Sequence, residues 1–370
     1  MINPLKALKK QEMQQHQKNI RRGIPVKAVV LFKANDFQTV EVEKPEISHS
    51  EILVKIKASA ICGTDLRILE GKKTKDVRYP STIGHEMAGI IEEIGENVKG
   101  YAVGDRVSIA PVIPCHSCHY CLSGRENACQ NRVAIGYQFD GGFAEYVKIP
   151  GIAIKYGHVV KLPDHVSFEE GALAEPLSCC INGIRKAGIT LNDTVLIVGA
   201  GPIGLMHLQL AKSAGASKII VSEPIKNRRK MAEKFGADMV VDPTAASLKD
   251  VVMEQTNGLG VDKIIMAIGV PSIVNDTLKL ARKGGIVNLF AGFAGTGECT
   301  IEANIIHYNE INVNGTTAFT RLDYLTAVSL IASGKVNVKE LISHEYSIDD
   351  FRRAYETCKA GEGIKVLIKP

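Results

Sequence analysis

At 370 residues, with 45% apolar residues and 34 glycines, the chain is long enough for two domains and has the composition of an α/β enzyme. Its net charge of +5 is spread along the sequence, without an arginine-rich stripe or interleaved aromatic platform, which excludes a nucleic-acid-binding protein. No run of about 18 apolar residues suggests a membrane span. No apolar secretion segment follows the charged start, so a cytoplasmic protein is expected, with its nine cysteines serving as thiols or metal ligands.

Residues 1–24 are polar and basic, with Leu5, Leu8 and Met13 at loosely helical spacing, and read as a terminal helix or frayed tail. From Lys27 short alternating runs begin. Ala28–Phe32, Glu51–Ala58, Ala88–Ile94, Arg106–Ile109 and Phe143–Ile149 are predicted strands, broken by glycine and proline turns. From Thr194 the rhythm changes to strand then helix. Val195–Val198, Lys218–Ser222, Met239–Val241, Val261–Met266 and Gly285–Phe290 read as buried strands, with helices at Ile203–Ser213 and Ile225–Phe235. That alternation predicts a parallel sheet covered by helices on both faces. Helices at Tyr324–Ser333 and Phe351–Ala360 and a strand at Lys365–Ile368 complete the pattern, the last strand returning to the first domain.

Three groups of residues carry chemistry. Cys115, Cys118, Cys121 and Cys129 are separated by two, two and seven residues, which brings four thiolates within reach of one ion. Tetrahedral zinc fits that donor set; an iron–sulfur cluster is the competing reading, without a Cys-Pro signature or second cluster to support it. Cys62, in Cys62-Gly63-Thr64-Asp65, follows an apolar strand; His85-Glu86 precedes another; Glu175 begins Glu175-Pro176. Singly, each reads as a packed residue. Together they offer a soft ligand, an imidazole and two carboxylates at strand ends, the donors of a metal site that keeps one position open. The turn Gly199-Ala200-Gly201-Pro202-Ile203-Gly204 lies between a predicted strand and helix, the context a dinucleotide site requires. Gly199 makes the turn, Gly201 admits the diphosphate, Gly204 permits close helix packing, and the helix start at Pro202 and Ile203 offers free N–H groups. Glu223 ends the next strand, where a carboxylate accepts from both ribose hydroxyls and repels a 2′-phosphate, favouring NAD over NADP. Lys226, Arg228 and Arg229 follow and blur that preference.

These stretches, with Gly104-Asp105-Arg106-Val107 and Gly141-Gly142-Phe143-Ala144-Glu145-Tyr146, resemble the zinc-containing medium-chain dehydrogenase/reductase superfamily across nearly all of residues 26–370. The chain looks most similar to its sorbitol (L-iditol), threonine and sugar-alcohol-phosphate branches. The resemblance implies a GroES-like catalytic domain at 26–178 and 325–370, a Rossmann NAD-binding domain at 179–324, and an extension at 1–25. It assigns catalytic zinc to Cys62 and His85, with Glu86 as a direct or intermittent ligand and Glu175 at the metal directly or through water. Ethanol-type relatives place a cysteine where Glu175 stands. Cys179 and Cys180, close by, read as packing. Thr64 corresponds to the hydroxyl that passes the alcohol proton outward, and Ile268 and Gly269 lie where relatives pass the nicotinamide side of the cofactor.

Many relatives carry a histidine at the place of Arg67; its absence argues against a threonine dehydrogenase with a histidine relay and leaves Arg67 as an anion contact or a scaffold ion pair. The stretch after Gly315 lacks the arginine of sorbitol dehydrogenases, so Thr316 and Arg321 become the candidate substrate contacts. The expected activity is zinc-dependent, NAD-linked oxidation of a secondary hydroxyl in a polyol, sugar alcohol or polyol phosphate, by a homodimer or homotetramer. A threonine or butanediol dehydrogenase is the alternative. A non-enzymatic dinucleotide-binding protein would have no use for both metal sets.

Overall fold

In the computed structural model, residues 24–293 and 295–370 are described. The expected terminal helix or tail lies outside them, apart from Ile24. Strand Ile52–Ala60 is buried along most of its length because neighbours cover it on every side. Glu86–Ile94 and Tyr146–Ile149 pair with it antiparallel, and the last strand, Lys365–Lys369, joins it at Ala60 and Ser59. The sheet continues to Arg106–Ile109 and Val159–Lys161 on one side and to Ile342–Ser347 on the other. Its apolar face packs Val54, Ile56, Met87, Ile91 and Val107 into one core. A three-stranded sheet of Asp36–Glu43, Pro25–Lys33 and Ser81–Thr82 stands beside it.

One register detail positions the site. Ala60 pairs with Glu86 on one side and with Leu367 on the other. Residues 62, 85–86 and 365, far apart in sequence, therefore emerge at the same corner of the sheet.

The second unit is a six-stranded parallel sheet in the order Met239–Val241, Lys218–Ser222, Thr194–Val198, Val261–Met266, Ala281–Leu289, Asn312–Gly315. Leu196, Val198, Ile220, Ile264, Met266 and Val287 fill one face; helix Pro202–Ser213 buries Leu205, Met206 and Leu208 against the other. Burial on both faces explains why these strands read as unbroken apolar runs. The strand order reverses at Thr194–Val198, and the crevice at such a switch point is where ligands bind.

Helix Ala174–Ala187 joins the two units and stops at Gly188, which adopts the left-handed conformation (φ 59°) that glycine takes without strain. The expected boundary at residues 178 and 179 falls inside this continuous helix. The helix expected at Tyr324–Ser333 starts earlier, at Arg321, because Thr320 caps it: its side chain accepts from the Asp323 N–H while the Asp323 carboxylate accepts from the Thr320 N–H at 2.8 Å.

Candidate active site and metal centres

The four loop cysteines converge. Their sulfurs lie 3.4 Å (Cys115–Cys129), 3.5 Å (Cys118–Cys121), 3.8 Å (Cys118–Cys129) and 4.0 Å (Cys115–Cys121) apart. A tetrahedron with metal–sulfur bonds near 2.3 Å has edges of about 3.8 Å, so the cage matches zinc. The thiols are polarised against one another. Hydrogen bonds from Ser117 pull Cys115 down to about 5, whereas burial, with Cys118 and Cys129 beside it, pushes Cys121 up to about 12. Four thiolates share this space only around a cation.

The second group is assembled across the sheet corner. Cys62 caps the short helix Gly63–Leu69, and its sulfur accepts from the Thr64 N–H at 3.5 Å. Asp65, fully buried, accepts from the Cys62 N–H at 2.9 Å with one oxygen and sets the other 3.1 Å from His85 Nδ1. That contact orients the imidazole and leaves its far nitrogen free as a ligand. Burial opposes charge on His85, but Asp65, together with Tyr137 and Cys62, holds the ring well above its ordinary value. Donor atoms of Cys62, His85 and Glu86 lie within 4.8 Å of one another. The donor set fits a zinc ion with a position left open.

Glu86 is fully buried, with Lys365 Nζ 2.7 Å and 2.5 Å from its two oxygens; Lys365 also donates to the Ile61 carbonyl at 3.1 Å. Burial works against charge on Lys365, yet Glu86 and Cys62 hold it above the usual lysine range. Glu175, in the first turn of the joining helix, is 7% exposed and faces the same cleft, outside the tight three-residue group. Burial pushes its carboxyl up to about 7; the negative charge of Glu86 adds to this and His85 opposes it.

These residues floor a cleft of about 1070 Å³ between the two units. Thr64, Arg67 and Tyr137 line it from the first unit; Pro202, Ile203, Arg228 and Thr316 line it from the second. The glycine turn is shaped for a dinucleotide. A Cβ on Gly204 would lie 1.9 Å from the Gly199 carbonyl oxygen, and Gly199 has φ 98° and sits against Ile268. A Cβ on Gly201 would meet nothing within 4 Å, so the backbone there faces open space into which a diphosphate fits. Glu223 is pinned by the N–H groups of Ala200 (2.7 Å) and Ile225 (2.9 Å). Arg229 pairs with Asp242 at 2.8 Å, while Arg228 reaches only the Gly361 carbonyl, at 3.4 Å. Gly269 abuts the Gly292 carbonyl, where a side chain would clash.

One expectation is corrected. Arg321 does not line the cleft. As the first residue of a capped helix, it donates its N–H to Glu126 at 3.1 Å and lays its guanidinium beside Gly157, on the cysteine-loop side. Thr316 does line the cleft, with its hydroxyl oxygen accepting from Asn288 at 2.8 Å. Two residues with evident roles were not singled out from sequence. Asp65 carried a signal, as the fourth residue of the Cys62 motif and its capping partner. Lys365 carried none, since it meets Glu86 across 279 residues.

Residues 48–171 match the alcohol dehydrogenase GroES-like domain, and residues 202–333 match the zinc-binding dehydrogenase family. The L-threonine 3-dehydrogenase of Pyrococcus furiosus is 36% identical, over 89% of this chain and 94% of its own. The D-arabitol-phosphate dehydrogenase of Enterococcus avium is 36% identical over 89% and 93%. A solved zinc-binding dehydrogenase of Sinorhizobium meliloti 1021, bound to NADP, superposes with a TM-score of 0.87 at 35% identity, covering 94% of this chain and all of that one. With its GroES-like unit, its Rossmann-type unit and its two metal donor sets, the chain belongs to the zinc-containing medium-chain dehydrogenase/reductase superfamily and is a zinc-dependent, nicotinamide-linked dehydrogenase.

Proposed function

We propose that the protein oxidises a secondary hydroxyl of a polyol, sugar alcohol or polyol phosphate with NAD. The observation that carries this reading is the convergence of Cys62, His85 and Glu86 on the floor of a cleft that is also lined by Pro202 and Ile203 of the glycine turn. Cys62 and His85 would hold the catalytic zinc, with Glu86 and Glu175 as direct or intermittent ligands; Cys115, Cys118, Cys121 and Cys129 would hold the structural one. When bound, the zinc acidifies the substrate hydroxyl and the nicotinamide accepts the hydride. The chain supplies the rest. Asp65 keeps His85 in one orientation. Thr64, beside Cys62, takes the hydroxyl proton and passes it outward. Thr316 orients the remaining hydroxyls.

Glu223 supports NAD: its fixed negative charge would face a 2′-phosphate, and Arg229 is already committed to Asp242. The arabitol-phosphate relative supports a polyol skeleton. Threonine, as the threonine dehydrogenase relative would suggest, is the competing substrate. The uncovered edge of Asn312–Gly315 supports assembly into a homodimer or homotetramer. No helix among the described residues is long and apolar enough to cross a membrane. The nine cysteines, all free, support a reducing, cytoplasmic setting. Initial rates of NAD and NADP reduction on polyols, their phosphates, threonine and butanediol test the reading. Turnover of secondary polyol hydroxyls with NAD is expected; turnover of threonine alone would contradict it.

A further inference from the structure

The cleft also holds a group of side chains that hydride and proton transfer do not use. Arg67, Lys73 and Arg132 line it together with Cys62 and His85. Local backbone geometry brings the first two together: after helix Gly63–Leu69 the chain folds back, and the N–H groups of Lys72 and Lys73 donate to the Arg67 carbonyl at 2.8 and 3.1 Å. Arg132 arrives from the segment that follows the cysteine loop, and one of its guanidinium nitrogens donates to the Asn127 carbonyl at 2.7 Å. Lys73 Nζ sits 5.3 Å from the centre of the Tyr137 ring, and that ring lies 5.7 Å from the ring of His85. The Tyr137 ring thus lies beside both Lys73 and His85.

Among the described residues, none of the three cations has a carboxylate within 4.0 Å, whereas nearby Glu70 is engaged by both Lys72 (2.6 Å) and Lys359 (3.1 Å). Burial holds Lys73 below the usual lysine range, and Arg67 and Arg132 add to this; Asp76 alone offsets them. Three cations facing one cavity, with Asp76 as the one carboxylate beside them, carry an excess of positive charge suited to an incoming anion. The coenzyme diphosphate has its own place at the start of helix Pro202–Ser213 on the opposite wall.

Resting on the dehydrogenase reading above, we propose that Arg67, Lys73 and Arg132 form an anion subsite for the substrate, and that the substrate is a polyol phosphate. Its carbon chain runs past Tyr137, with the phosphate among the cations and the oxidised hydroxyl at Cys62 and His85. A phosphate dianion balances three cations and Asp76 better than a carboxylate does.

The test is steady-state kinetics of the zinc-loaded enzyme on matched triplets: a free polyol, its terminal phosphate and the corresponding aldonate. Wild type is compared with Lys73→Ala, Lys73→Arg and Arg132→Ala, and the KM for NAD is recorded throughout. The wild type is expected to prefer the phosphate by about tenfold or more in kcat/KM. Each alanine variant should lower that preference ratio about tenfold, through KM, and Lys73→Arg should restore most of it. Inorganic phosphate should compete with the phosphorylated substrate in wild type and more weakly in the alanine variants. Equal rates on all three members would overturn the subsite while leaving the dehydrogenase reading intact. Preference for the aldonate would overturn the phosphate assignment. A raised KM for NAD with an unchanged substrate ratio would reassign the cations to the coenzyme. Failure to turn over any alcohol would reject the dehydrogenase reading and this inference with it.

Discussion

The two metal centres are built in opposite ways. The cysteine loop gathers four like donors from 15 consecutive residues, so that sulfurs would enclose an ion on every side. The cleft centre would draw unlike donors from three separate stretches, with partners behind them: Asp65 behind His85, and Lys365 behind Glu86. A local, closed cage serves to hold a loop; a dispersed, half-supported one leaves room for a substrate. The cleft centre should therefore be sensitive to residues that touch no metal, and the loop should not.

The largest effect expected from that difference is at Lys365. Replacing it by methionine strands the Glu86 carboxylate in the interior and should cost about 3–5 kcal/mol in urea unfolding. Adding Glu86→Gln should restore part of the loss. A cost below about 1 kcal/mol would place the pair with weak surface contacts instead. Next is Asp65→Asn, which keeps an acceptor for the Cys62 N–H but removes the charge facing His85. Zinc affinity in the cleft should fall about 10–100-fold by chelator competition, with the loop zinc unchanged. Equal weakening of both zincs would break the distinction.

Acid sharpens the comparison. Low pH strips thiolate-bound zinc by protonating ligands, so a second, metal-free sensor is useful. His207 lies fully buried against Phe290, with neither ring nitrogen partnered, and burial holds it down to about 3 from an ordinary 6.5. Between those values the unfolded chain takes up the proton and the folded chain does not, so stability present above pH 6.5 is lost as pH falls towards 3. At pH 5 the loss should be on the order of 2 kcal/mol, and absent from His207→Leu. An unchanged pH dependence in that variant would assign the acid sensitivity to the metal ligands. The smallest effect concerns the far wall of the cleft. Glu223→Ser should lower the preference for NAD over NADP by roughly tenfold without altering either metal.

Features that depend on neighbouring residues were legible in the sequence. The strands Lys218–Ser222, Met239–Val241 and Val261–Met266 stand where their apolar runs placed them, because a strand covered on both faces has no polar side. The cysteine spacing likewise delivered its cage. Features that depend on long-range register were not. Lys365 reads as one lysine among many until Leu367 pairs with Ala60. Arg321 could be assigned to the substrate only while the start of its helix was unknown; the Thr320 cap turns it to the other side. The grouping of Arg67, Lys73 and Arg132 needs both a backbone fold-back and the segment after the cysteine loop, so only Arg67 stood out beforehand.

The most direct test of the central contrast is zinc content and turnover measured in parallel on Cys62→Ala and Cys118→Ser. In the first, one zinc per chain should remain, thermal stability should change little, and turnover should fall about a thousandfold or more. In the second, one zinc should again be lost, the melting temperature should drop, and the protein that stays folded at low temperature should still turn over. Full turnover by Cys62→Ala, or loss of turnover without loss of stability in Cys118→Ser, would contradict the assignment of chemistry to the cleft and of architecture to the loop.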